Sequence, residues 1–192
     1  MGHSPYDFVM NYSVKHRTAK NLNFVHRTFN SEDLHFFFLA LNRIYTEFSS
    51  LEDCFLAKEE HDFLYHGIAN FRKIFFNGYS DTRTQKHVSS PLNNSACKRI
   101  LMFLRWMVRK NGVVDFGLWN KIQPFQLLCP LDVHSGTIAR RLQLLQRTQN
   151  DWRAVVELTE ALRQFDREDP VKYDFALFGL GVSKFFDESM NI

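Results

Sequence analysis

An all-α fold is what this sequence predicts, on three observations. Apolar residues recur with three- and four-residue spacing through most of the chain, and helix-capping residues stand where those stretches begin. No alternating strand pattern of useful length occurs. With 45% hydrophobic and 15% aromatic residues, 20 of them phenylalanine, the 192 residues can bury a sizeable core as one domain.

The elements follow in order. Ser4-Pro5 with Asp7 supplies a cap, a proline at the first helical position and an early acid. Residues 31–48 form the clearest amphipathic helix of the N-terminal half, with Leu34, Phe37, Phe38, Leu41, Ile44, Tyr45 and Phe48 on one face. A further helix is expected over about residues 59–76, from Glu59, with Phe63, Leu64, Ile68, Phe71 and Phe75 inward. Residues 77–94 are polar, turn-rich and basic, a long loop of the kind that carries function or moves.

Ser95 caps a helix through SACKRILMFLRWMVRK, whose apolar residues exceed one narrow stripe, so several neighbours are expected to touch it. Asn111-Gly112 ends it. Short helical turns are expected at 116–119 and 125–128, around Pro124, and Pro130 breaks the chain before a helix over 132–145 with Ile138, Leu142 and Leu145 inward. Asn150 or Asp151 caps the next helix, through Gln164, and Asp169-Pro170 starts the last, which carries Tyr173, Leu177 and Phe178. The whole chain, 1–192, reads as a single helical domain: N-terminal helices and the basic loop over 4–94, then a second helical half over 95–186.

Charge and cysteines narrow the function classes. A formal net charge of +3 tolerates a nucleic-acid partner without demanding one. Cys54, Cys97 and Cys129 have neither paired nor zinc-like spacing, and no signal pattern or membrane-length apolar run is present. A cytoplasmic protein with no cofactor and no membrane contact is expected.

Asp132 draws attention by position. A carboxylate at a helix N-terminus accepts backbone N–H groups and offsets the helix dipole, which is explanation enough for it on position alone. Lys98, in the first turn of the 95–110 helix, is ordinarily a solvated residue. Arg99, Arg105 and Arg109 along the same helix read as a solvated face or as phosphate contacts. The loop residues Arg83, Lys86 and His87 are candidates for phosphate contact or for covering a pocket. His134 is expected to orient the first turn or touch phosphate, since no further ligands stand at metal spacing. Trp106, in the densest apolar helix, is expected in the core, whereas Trp119, beside a short turn, is expected open enough to stack on a base.

The string LDVHxxxIARRLxLL from Leu131 resembles a segment of the helix-hairpin-helix DNA glycosylases, in which an aspartate follows a short apolar run and precedes a histidine. DWRAVVELTEALRQF and DPVKYDFALFGLG resemble the two helices that follow there, so the likeness covers residues 95–181. The resemblance implies a catalytic role for Asp132, DNA as partner, and a helical fold of that type. A bifunctional member adds a lysine whose amine attacks the sugar and forms a Schiff base, and Lys98 is the candidate for it in this chain. Lys98, 34 positions before Asp132, stands too far away for the hairpin lysine of the endonuclease III type. The layout is more similar to archaeal 8-oxoguanine glycosylases, where a lysine opens a long apolar helix well before the aspartate. Tyr173 and Asp174 are then expected to support the aspartate from behind.

Over most of its length, from about Ser4, the chain more closely resembles a bacterial family known only as domain of unknown function 2400. The strings NFVHRTFN, NSACKR, MFLRWMVRK, VDFGLW, PLDVH and DPVKYDFALFGLG carry that match. Members usually begin before the equivalent of Ser4, with extra helices, so a shortened chain with a late start at Met1-Gly2-His3 is expected. Two departures from the glycosylases stand out. The glycine-rich hairpin that presents backbone amides to DNA phosphate is replaced by VDFGLWNKIQPFQLLC, and the four-cysteine iron-sulfur loop of some relatives is missing, so no metal cluster is expected. The functions open are thus a glycosylase-like protein acting on or binding damaged nucleic acid, or a non-catalytic module binding nucleic acid or protein through the basic loop.

Overall fold

The computed structural model describes residues 4–13, 25–58, 61–110 and 113–183. Among these, α1 (Pro5–Met10), α2 (Ser31–Glu47), α3 (Phe63–Phe75) and α4 (Thr82–Gln85) precede α5 (Lys98–Val108), α6 (Val133–Arg141), α7 (Trp152–Arg163) and α8 (Asp174–Val182). The protein is mostly helical, as its periodicity predicts. A small antiparallel hairpin, β1 (Val25–His26) with β2 (Phe29–Asn30), leads into α2. Strands this short leave no alternation to read.

Local chemistry explains most helix starts. Ser4 Oγ accepts from Asp7 N–H, with Pro5 in the first turn. Asn30 and Asp33 form a reciprocal capping box on α2, one residue ahead of the expected start. Asp151, not Asn150, caps α7 by accepting from Ala154 N–H. On α2 the buried side chains are Asp33, Phe36, Phe38, Ala40 and Ile44. Phe36, which the expected face omitted, stacks on Tyr79 at 3.9 Å between ring centres. The third helix starts at Phe63, later than expected, and Glu59 lies outside the described residues.

The 77–94 stretch carries more structure than a loop: α4 and a 3-10 turn at Pro91–Asn93. Asp33, fully buried, organises it by accepting from Thr84 Oγ1 and Arg83 Nη2, each at 2.8 Å. The central helix α5 begins at Lys98 after Cys97 in the left-handed region, where Cys97 N–H donates to Ser95 Oγ at 3.3 Å. It ends at Val108, because Arg109 turns extended and inward; Asn111-Gly112 lies outside the described residues.

Residues 116–119 are not a helical turn. They run back along the end of α5, with Phe116 and Gly117 N–H donating to Trp106 C=O and Trp119 N–H to Met107 C=O. Gly117 adopts φ +59 there, and a Cβ would lie 2.6 Å from Lys110 Cγ, so glycine is required twice over. The turn at Pro124–Gln126 does form, as a 3-10 turn. The helix over 132–145 is shorter than expected: α6 stops at Arg141, Gln143 turns the chain at φ 60, and Leu142 is exposed while Leu145 is buried. Asp169-Pro170 opens a 3-10 turn rather than a helix, and α8 follows it.

One main apolar core draws on both halves of the chain, from Phe36 and Ile44 through Ile68, Leu101 and Leu104 to Leu158 and Leu177. A satellite cluster of Val9, Tyr12 and Phe38 docks α1 on α2. The three cysteines are free and buried. Burial pushes the Cys54 thiol to about 11 and the Cys97 thiol to about 12, and raises Cys129 as well, so these are inert core groups.

Candidate active site

The central helix has two working faces. Leu101, Leu104 and Val108 enter the core, while Lys98, Met102, Arg105 and Trp106, at i, i+4, i+7 and i+8, line a cavity of about 380 Å³. Val114 and Phe116, on the returning segment, form a second wall. Pro130, Asp132 and Ser135 at the start of α6 form a third, and Asp174, Phe175 and Phe178 of α8 close the fourth.

Lys98 Nζ donates to Asp132 Oδ2 at 2.7 Å. Asp132 is also the cap of α6: Oδ1 accepts from Ser135 N–H at 2.9 Å, and Ser135 Oγ accepts from Asp132 N–H at 3.0 Å. Capping and pairing therefore use different oxygens of one carboxylate. The Lys98 side chain is 42% exposed and that of Asp132 14%, so the pair sits at the cavity's edge with solvent on the lysine side. Burial alone would raise the Asp132 carboxyl, but the Lys98 ammonium and the Ser135 amide outweigh it and hold it below its ordinary value.

Behind this pair lies a buried ionic chain that sequence reading missed. Arg105, expected at phosphate or in solvent, is 2% exposed and donates to Asp174 Oδ2 at 2.6 Å. Its guanidinium lies 4.0 Å from the Phe175 ring centre and 3.5 Å from Asp115 Oδ2. Arg109, also expected at the surface, pairs with Asp115 and grips both oxygens of Asp169. Asp174 is more than the structural support expected: it lines the cavity itself. Burial dominates there and pushes its carboxyl above the ordinary value, with Arg105 opposing and Asp132 adding to the rise.

The other expected site residues scatter. Arg83 is held by Asn30 and Asp33, and His87 is buried against Asp33, its Nε2 3.3 Å from Oδ2 without hydrogen-bond geometry, and against the Phe29 ring. Neither reaches the cavity, because the buried Asp33 carboxylate recruits them. Lys86 and Arg99 are exposed and do not line the cavity. His134 is exposed and packs edge-on to Phe178 of the cavity wall without lining the cavity itself. The two tryptophans exchange roles: Trp119 is buried against Phe55 and Phe103, whereas Trp106 is half-buried in the cavity wall. Spacing from Lys98 along α5 was the signal available for Trp106; nothing in the sequence marked Phe116, Phe175 or Phe178.

Opposite pKa shifts at the two cavity carboxyls give opposite pH dependences. A lowered folded pKa means that the stability Asp132 contributes is present above its unfolded value and lost as pH falls through the folded one. The raised pKa of Asp174 makes its contribution largest in acid and lost as pH rises through the folded value. In denaturation series across the carboxylate range, the deficit of Asp132→Asn relative to the parent should shrink as pH falls, while that of Asp174→Asn should grow. Deficits that move together would contradict these assignments.

Fold and site together define a mainly helical protein in which an amine-carboxylate pair edges an aromatic cavity. The chain belongs to the family described as Protein of unknown function (DUF2400), whose model matches residues 1–183. No curated protein and no solved structure matches it. Among the described residues, no helix is long and apolar enough to cross a membrane, and no group of three or more His, Cys, Asp or Glu side chains is placed to hold a metal ion.

Proposed function

We propose that this protein is a glycosylase of the DNA-repair type, acting on a damaged base drawn out of its nucleic-acid strand. The observation that carries the reading is the 2.7 Å contact of Lys98 Nζ with Asp132 Oδ2 at the edge of an aromatic cavity. About 380 Å³ lies within the range of small-ligand pockets, roughly 300–1,000 Å³. Trp106, Phe116, Phe175 and Phe178 offer faces and edges on which a base stacks.

The chemistry follows from the pair. With a base filling the cavity and water displaced from the lysine side, the neutral pair gains on the ion pair, and Lys98 passes a proton to Asp132 to become a neutral amine. Its nitrogen bonds to the sugar C1′ as the bond from C1′ to the base breaks, and the base leaves with that electron pair and takes up the proton that Asp132 received. Asp132, ionised again, stabilises positive charge on the sugar as carboxylates do in glycoside hydrolysis. A proton then passes from that nitrogen to O4′ as the C1′–O4′ bond breaks, which opens the ring and leaves a protonated imine between Lys98 and C1′ that borohydride reduces to a stable amine. The alternative of a module binding through the basic loop is weakened by the engagement of Arg83 and His87 with Asp33.

Incubation with a panel of lesion-containing duplexes and single strands in the presence of borohydride should give a covalent protein–DNA species. Lys98→Met should abolish it while the protein stays folded. Folded parent protein that neither cleaves, traps nor binds any member of the panel would refute the glycosylase reading.

A further inference from the structure

The Lys98–Asp132 contact joins the starts of two helices that are 34 residues apart in sequence. A continuous set of hydrogen bonds, outside the cavity, links the same two starts by another route. Asn150 Nδ2 donates to the backbone carbonyl of Asp132 at 3.1 Å. Asn150 Oδ1 accepts from Arg140 Nη2 at 2.7 Å, and Arg140 Nε donates to Arg147 C=O at 2.7 Å, so the 147–150 turn is tied to α6 at both ends. Arg147 holds both oxygens of Asp151. Asp151 in turn accepts from Asn94 Nδ2 at 3.0 Å, Trp152 N–H donates to Asn94 C=O at 3.2 Å, and Ser95 forms a β-bridge with Asp151. Ser95 Oγ then accepts from Cys97 N–H, the residue before Lys98.

We infer that Asn150 is a positioning residue: it ties the start of α6 to the 147–151 turn and the 94–97 segment, and so sets the distance between Asp132 and Lys98. This rests on the glycosylase reading only for its catalytic consequence; the geometric consequence stands alone. Asn150 is exposed and does not line the cavity, so its hydrogen bonds rather than apolar packing hold it in place. Its place is also guarded from the other side. Gly136 lies so close that a Cβ there would sit 2.9 Å from Arg140 Nη1 and 3.0 Å from Asn150 Oδ1. Because both atoms are ends of side chains, an alanine would displace them rather than the helix, while raising intrinsic helix propensity.

Two variants separate this role from a merely structural one, Asn150→Ala and Gly136→Ala. The readout independent of activity is the carboxyl titration of Asp132, followed by NMR, with Asp33 as an internal reference remote from the strap. In both variants Asp132 should titrate closer to the ordinary carboxylate value, since against burial the held contact with Lys98 acts with the Ser135 amide to keep it low and only the first depends on the strap, and Asp33 should not move. With a lesion substrate that the parent cleaves, kcat should fall by up to about 100-fold, the penalty of a misplacement near 1 Å, with KM unchanged. An Asp132 titration unchanged in both folded variants overturns the inference, whatever the activity. Altered titration in a protein whose parent neither cleaves, traps nor binds any lesion upholds the strap and removes the glycosylase reading.

Discussion

Arg109→Met is expected to destabilise the folded protein by about 3–5 kcal/mol, the cost of removing one partner from a buried ion pair. Its partners are Asp115, whose side chain is 0% exposed, and Asp169. Without Arg109, Asp115 keeps only the 3.5 Å approach of Arg105 Nη2 among the described residues, and its Oδ1 already has no hydrogen-bond partner there. An unpaired buried carboxylate is the most expensive outcome available at this place. Urea denaturation should show the loss as a lowered midpoint at unchanged slope. Adding Asp115→Leu should restore part of it, because the second substitution removes the stranded charge. A loss below about 1 kcal/mol would show that the network relaxes around the gap, as exposed pairs do.

The second large effect concerns chemistry. Asp132→Asn should lower turnover of a cleaved lesion by about 10²–10⁴-fold, the range over which positioned acid-base groups contribute. Nucleic-acid binding should survive, since the variant keeps the cavity walls. The fold should survive too: asparagine caps helices about as well as aspartate, and Lys98 remains solvated when it loses its partner. The test is a single-turnover assay paired with a binding titration. Turnover reduced less than tenfold would move the chemistry away from Asp132.

Much of the fold was legible in the sequence because its determinants are local. Ser4-Pro5, Asp132 and Asp151 stand where caps belong, and the three-four spacing of α2, α3 and α7 reports a buried face whatever lies against it. Errors fell where neighbours decide. Helix α5 stops at Val108 because Arg109 is drawn inward by Asp115 and Asp169, and the 116–119 segment is not helical because its amides bond to carbonyls of α5.

By itself, the sequence determined the helical class, the start of α6 at Asp132 and the presence of a lysine at the head of α5. Tertiary structure alone decided that Lys98 Nζ meets Asp132 Oδ2, that Arg105 and Arg109 are buried, and that Trp106 rather than Trp119 faces the cavity. The physical reason is range. Caps and periodicity act within a turn or two of helix, whereas a charged side chain goes to whichever partner the packing of distant helices brings within about 3–4 Å. For Asp132 that partner lies 34 residues away, and for Arg105 the Asp174 carboxylate lies 69 away.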